Sequence, residues 1–215
     1  MRRVLMTVAG VAAVHAHAFA DEMRPAAKLS KMFPYLEDYL ALPESERTHF
    51  ELDFHVKPTD PAITEFGLWL NTGDEPFAVP VAEDGVIDIA ALEPYVAEDP
   101  MVLTDLPKGG GQSNLESTPR LDLANEIAVS DLKTAIDQAN RAIAAQAGAL
   151  SFAAPKFRKV AFVLEPGTTA SLKFPSGATK PLDVNGTQIV IRPNRGNRVA
   201  TLVFSSPPLD DAFKD

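Results

Sequence analysis

The chain contains no cysteine among its 215 residues. Disulfide bonds, thiol catalysis, thiolate metal sites and iron–sulfur clusters are therefore excluded, and the fold has to be stabilised by packing alone. Histidine occurs only four times, and two of the four, His15 and His17, lie in the first twenty residues. Only two imidazole groups, those of His49 and His55, are therefore left in the rest of the chain for metal binding or for acid–base chemistry.

Basic charge is also scarce, because 20 Lys and Arg stand against 29 Asp and Glu, which gives a formal net charge of −9. The basic residues form no stripe, so neither nucleic acid nor an anionic membrane surface is an expected partner. Beyond the first twenty residues no apolar run approaches the roughly 20 residues that cross a bilayer. We therefore expect a soluble chain without a membrane span.

The first twenty residues have the pattern of a secretory signal peptide. An arginine pair at 2–3 precedes an apolar run at 4–14, and the small residues Ala18 and Ala20 predict cleavage before Asp21. Removal of 1–20, which holds two basic residues and no acidic one, would leave 18 basic and 29 acidic residues and a net charge of −11. The pattern predicts Sec-type export to the periplasm or beyond. The lack of a cysteine after the cut predicts that no lipid anchor is attached.

The remaining sequence predicts a mainly β, α+β protein with antiparallel, sandwich-like layers and one central amphipathic helix. Short alternating segments, such as 49–57, are separated by turns that contain proline and glycine, and the chain has 18 prolines. The helix is predicted to begin at Ser130 and has an alanine-rich apolar stripe, so it should lie close against a sheet. The segments 80–85 and 181–186 share their spacing of proline, turn residue and glycine. Either the two β halves are copies of one unit, or such turns simply recur in a β protein.

We predict four parts along the chain. Residues 1–20 are the signal peptide, 21–129 an N-terminal helix with a β-rich half, 130–205 the central helix with a second β-rich half, and 206–215 a flexible tail. The first half should contain a helix at 31–42. The glycine-containing segment 107–119 should be a mobile loop.

The segment Phe33-Pro34-Tyr35-Leu36-Glu-Asp-Tyr39-Leu40, followed by Leu42-Pro43-Glu-Ser-Glu-Arg47, resembles the start of exported bacterial proteins that have an N-terminal helix, β-rich halves and a middle helix. The resemblance extends along most of the chain after the signal. It implies export and the fold, and it carries no activity.

One strand offers candidate metal ligands. His49, Glu51, Asp53 and His55 share the polar face of the alternating segment, and neighbours at i and i+2 are roughly 7 Å apart, within reach of one metal ion. His49 and His55 are about 20 Å apart along an extended strand and cannot share an ion, so a complete site needs ligands from another strand. The alternative is an ordinary solvent-facing side of an antiparallel strand, with no cofactor at all.

No catalytic residues are predicted, and three functions remain open. The first is a non-enzymatic periplasmic binding module whose partner is an envelope protein or a cell-wall component. The second is a metal-assisted hydrolase centred on the polar face of 49–55. The third is an inhibitor or chaperone-like factor that acts through the loop 107–119, with 108–114 as its exposed part.

Overall fold

A computed structural model describes residues 23–73, 75–147 and 156–215. Its strands pair only in antiparallel fashion, in four sheets, and one long helix lies in the middle of the chain. The predicted mainly β, α+β architecture with sandwich-like layers is therefore confirmed. The predicted signal peptide and its cleavage site at Ala18, Ala20 and Asp21 lie outside the described residues.

The first half contains six strands in two sheets, with the order β1-β5-β3-β4 in one sheet and β2-β6 in the other. Their bounds are β1 (Arg24–Lys28), β2 (Phe50–Pro58), β3 (Leu68–Asn71), β4 (Phe77–Ala78), β5 (Met101–Thr104) and β6 (Gly111–Pro119). An isolated bridge between His55 and Val86 adds the segment after the Gly85 turn to the free edge of β2. Two facing sheets with a shared apolar interior form a sandwich.

The second half contains seven strands, with the order β7-β12-β9-β10 in one sheet and β11-β8-β13 in the other. Their bounds are β7 (Glu126–Ala128), β8 (Lys159–Val163), β9 (Ala170–Lys173), β10 (Thr179–Leu182), β11 (Gln188–Ile191), β12 (Thr201–Phe204) and β13 (Asp210–Lys214). Because β7 pairs with β12, the second half begins before residue 130.

The two halves have the same topology. Taken in chain order, β1, β2, β3, β4, β5 and β6 correspond to β7, β8, β9, β10, β12 and β13, and the bridge at Val86 corresponds to β11. The correspondence includes every antiparallel pairing: β6 and the Val86 segment flank β2 just as β13 and β11 flank β8. The two similar β halves predicted from the turn segments therefore exist at the level of strand order.

The helical connections differ between the halves. The predicted helix at 31–42 is instead two short helices, α1 (Leu29–Met32) and α2 (Leu36–Leu40), followed by a 3₁₀ turn at Glu44–Glu46. Pro34 disfavours helical backbone at the residue before it, and Tyr35 adopts a left-handed conformation with φ of 69°. In the second half the same connection is one long helix, α3 (Val129–Ala147). A 3₁₀ helix spans Ile89–Glu98.

One apolar core runs through both halves. Alternation along β2 buries Phe50, Leu52, Phe54 and Val56, and the ring of Phe33 meets that of Phe54 edge to face at 5.2 Å. The helix α3 contacts β2 and β6 of the first half and β7 and β8 of the second. It therefore packs against both halves at once.

Two amides on α3 bind the two halves. Gln138, which is 4% exposed, accepts a hydrogen bond from the backbone N–H of His49 (2.9 Å) and donates to the carbonyl of Ser45 and to Thr48 Oγ1 (both 2.9 Å). Asn140 both donates to and accepts from the backbone of Phe157, at 2.8 and 2.9 Å. These hydrogen bonds fix the helix to the loop before β2 in the first half and to the segment before β8 in the second.

Two predictions about irregular segments are wrong. Most of the loop predicted at 107–119 is the strand β6, which pairs with β2 along its full length, so only the turn before Gly111 is irregular. The flexible tail predicted at 206–215 contains β13, which pairs with β8 and buries Phe213 in a stack with Phe157 at 4.6 Å. In both cases pairing with a distant strand overrides a weak local pattern.

Candidate binding groove

The four predicted metal ligands lie along β2 and just before it. Glu51, Asp53 and His55 alternate with buried residues and are half-buried, as the period of two requires. His49 precedes the strand, and its Nδ1 lies 2.8 Å from Thr48 Oγ1. The predicted polar face therefore exists.

Side chains of β6 meet this polar face. Asp53 accepts a hydrogen bond of 2.6 Å from Thr118, and His55 Nε2 lies 4.0 Å from a carboxylate oxygen of Glu116. Within residues 23–73, 75–147 and 156–215, no group of three or more His, Asp or Glu side chains is placed to hold a metal ion. The residues predicted as ligands do not converge on a metal centre in the described chain.

A carboxylate in β13 belongs to the same region of the molecule. Burial, then the neighbouring Asp210 and then Glu51, raise the pKa of Asp211 from 3.8 to about 7. Burial and Asp53 also raise the pKa of Glu51, against an opposing effect of Arg120. Asp211 Oδ2 is buried and has no hydrogen-bond partner within the described residues. The sequence gives no signal for this group, because it lies in the segment predicted to be a tail.

A polar basin of about 270 Å³ lies beside Glu51 and Asp53. Arg47 and Arg120 line it together with the carboxylates, and the Arg47 guanidinium lies 5.6 Å from the centre of the Tyr39 ring. Burial raises the pKa of Tyr39, which favours its neutral form. Asp88 and Glu93 line the basin as well, so carboxylates outnumber guanidinium groups and the formal charge of the basin is negative.

A larger concavity of about 600 Å³, which we call the β1–β6 groove, lies in the first half. One wall is β1 at residues 24–26, and the other is the start of β6 at 111–113. Its floor contains Val56, Leu68 and Leu106, each 3% exposed or less. Volumes of about 300–1,000 Å³ with mainly apolar linings are typical of ligand sites.

Irregular backbone shapes the walls of the groove. The register of β1 against β5 shifts between Pro25 and Ala27, which leaves Ala26 as an extra residue at the edge. At the other wall Gly109 has φ of 75°, a conformation that favours glycine, and Gly110 donates to the carbonyl of Pro107 at 2.7 Å. Both walls are strand ends, so the groove opens at the side of the sandwich.

Hydrogen bonds hold the groove in shape. Ser113 donates through Oγ to the carbonyl of Met32 at 3.2 Å and so ties β6 to α1. Thr104 donates to the carbonyl of Gly67 at 2.9 Å, and Arg24 donates through Nε to the carbonyl of Leu106. The two hydroxyl groups of the lining are therefore used to fix backbone.

The charge of the groove has the opposite sign to that of the chain. Arg24 and Lys108 line it, and no described residue of the lining is acidic. The whole chain has a formal net charge of −9. A local excess of positive charge above an apolar floor suits a ligand that has an apolar body and a negative group.

Sequence reasoning found part of this site. Lys108 and the start of β6 belong to the segment that the third functional hypothesis selects. Arg24 precedes the first predicted element, the helix at 31–42, and Leu68 and Leu106 have the pattern of ordinary core residues. Only the pairing of β1 with β5 brings these residues together.

Comparisons with known proteins leave the groove as the main guide to function. No family model matches the chain, and no curated protein and no solved structure matches it significantly. No helix within the described residues is long and apolar enough to cross a membrane.

Proposed function

We propose that the protein is an exported, non-enzymatic binding module that takes a component of the cell envelope into the β1–β6 groove. The observation that carries the proposal is the pair of cations, Arg24 and Lys108, on an apolar groove of about 600 Å³ in an acidic chain. The predicted signal peptide and the resemblance to exported bacterial proteins support export to the periplasm. Export predicts that intact mass analysis of the native protein finds a chain that begins at Asp21.

The lining of the groove supports binding rather than catalysis. Its described residues include neither histidine nor carboxylate, and Ser113 and Thr104 donate their hydroxyl protons to backbone carbonyls. A nucleophilic hydroxyl requires a neighbouring base that accepts its proton. The groove offers fixed shape, apolar surface and positive charge, which are the properties of a receptor site.

A fluorescent probe tests the proposal on the purified chain that begins at Asp21. Anilinonaphthalene sulfonate combines an apolar ring system with one negative charge, so it should bind at one site with an affinity in the micromolar range. Ala26→Phe places a ring in the groove from its β1 wall and should abolish this binding. Ala78→Phe, at an exposed position of β4 in the same sheet, should leave the binding unchanged. Equal binding by both variants would contradict the groove as the site.

A further inference from the structure

We infer that the ligand of the β1–β6 groove is a single-chain amphiphile with an anionic head group. The inference rests on the proposed binding function and adds the ligand class. It follows from the apolar floor of the groove, from the position of the two cations and from a comparison between the halves.

The floor of the groove is made of apolar side chains from both sheets. Val56 comes from β2 and Leu68 from β3, and both belong to the packed core of the sandwich, with 3% or less of their surface exposed. Side chains fill the space between facing sheets, so the groove lies against the margin of the core and does not run between the sheets. With Ala26 and Met32, which also line the groove, these residues form an apolar strip along which an alkyl chain can lie.

The two cations lie at the same end of the groove. Arg24 binds the carbonyl of Leu106, and Lys108 follows only two residues later in the turn that leads to β6. Hydrogen bonds from Arg or Lys to a carboxylate or phosphate are roughly twice as strong as those between neutral groups. An alkyl chain on the floor therefore has its anionic head beside these two side chains.

The positions of the second half that correspond to Arg24 and Lys108 carry no basic residue. The first residue of β1 is Arg24, whereas the first residue of β7 is Glu126, which forms an ion pair of 3.4 Å with Lys173. The turn between β12 and β13 is Ser205-Ser206-Pro207-Pro208-Leu209 and contains no basic residue, unlike the turn that holds Lys108. The shared topology thus does not require positive charge here, and the charge is specific to the groove.

Calorimetry provides a direct measurement. The sole tryptophan is not a reporter for the floor, because Trp69 follows the inward-pointing Leu68 on β3 and its ring lies beside Gly67 on the opposite face of the sheet. We would titrate the chain that begins at Asp21 with undecanoate and measure the heat of binding. The titration should fit a stoichiometry of one, and undecanoate should displace anilinonaphthalene sulfonate from the groove.

Variation of the ligand separates the head group from the chain. Each methylene added between octanoate and undecanoate should strengthen binding about fourfold, the effect of burying one CH₂. Undecanol and decyltrimethylammonium should bind at least about tenfold more weakly than undecanoate, because they lack the negative charge. Decyl phosphate compared with undecanoate shows whether the head group is a phosphate or a carboxylate.

Variation of the protein locates the head group. Lys108→Gln should weaken undecanoate about fivefold and leave undecanol unchanged, since one charge-assisted contact is lost. Lys180→Gln, an exposed lysine on β10 with the same change in net charge, is the matched control and should have no effect. Ala26→Phe should abolish the heat of undecanoate binding, while Ala78→Phe should retain it.

The outcomes distinguish this inference from the proposed function. If anilinonaphthalene sulfonate binds in the groove but undecanoate neither displaces it nor is sensitive to Lys108→Gln, the groove binds another class of ligand and the inference is wrong. If the probe is instead displaced by the peptide Val-Ala-Val-Ala with a free carboxylate, the ligand is an extended peptide and the inference is again wrong. If neither probe nor amphiphile binds, the proposed function fails as well.

Discussion

At the scale of single residues, Asp211 is the group whose environment most affects its chemistry. Its pKa of about 7 in the folded state lies above the ordinary value of 3.8, because the charged form is partly buried beside Asp210 and Glu51. The folded state therefore binds the proton more tightly than the unfolded state between about pH 4 and pH 7. Over this window the free energy of unfolding falls as the pH rises, and above it the loss is complete.

Asp211→Asn should remove this penalty. The variant should be more stable than the parent at pH 8 by about 1–2 kcal/mol, a value discounted for partial exposure to solvent, and equal to it near pH 4. Urea unfolding at pH 4, 6 and 8 provides the measurement. Asp183→Asn, at an exposed position, serves as the control, and an unchanged pH dependence for Asp211→Asn would contradict the assignment.

At the scale of elements, β2 shows what the sequence reveals and β6 shows what it hides. The apolar residues of β2 recur every second position from Phe50 to Val56, so the strand and its two faces could be predicted. The partner strand β6 begins Gly-Gln-Ser-Asn and is exposed over its first six residues, so it has no apolar alternation to detect. It becomes a strand because β2 offers a complete ladder of hydrogen bonds.

The same limit applies to β13 and to the groove. Phe213 is one buried aromatic residue in an acidic segment that follows two prolines, and such a segment has the composition of a tail. Arg24 and Lys108 are 84 residues apart in the chain, so their proximity depends on long-range pairing and not on a motif. The sequence predicts the alternation within strands and the layered architecture, whereas the groove depends on which strand edges lie next to each other.

The strand β13 should contribute substantially to stability. Phe213→Ala removes a buried ring that stacks on Phe157, and we expect a loss of about 3 kcal/mol in the free energy of unfolding. Leu209→Ala, in the same segment but 59% exposed, should change the stability by less than about 0.5 kcal/mol. Urea titration of both variants tests this, and equal effects would mean that β13 is not docked in solution.

At the scale of the whole molecule, the helix α3 and the shared core join the two halves into one folding unit. Gln138 forms three hydrogen bonds to the segment 45–49 of the first half, while Asn140 binds the second. Because the amide of Gln138 is buried, its removal leaves backbone groups without partners, which costs about 2–3 kcal/mol. Disruption at this point should weaken both halves together.

Two spectroscopic signals test whether the two halves unfold together. Trp69 reports on the first half only, and circular dichroism reports on the whole chain, so their urea transitions should coincide if unfolding is cooperative. Gln138→Ala should move both midpoints by the same amount, and Gln188→Ala, an exposed glutamine on β11, should move neither. Separate transitions for the two probes would show that the halves unfold independently.

The meeting of β6 and β13 has a consequence for association between molecules. These equivalent strands lie at the edges of their sheets and pass within 8 Å of each other between Cα atoms. An uncovered strand edge can recruit a strand from another chain and so begin aggregation. Each half therefore shields the vulnerable margin of the other, and a fragment that carried one half alone would be expected to self-associate.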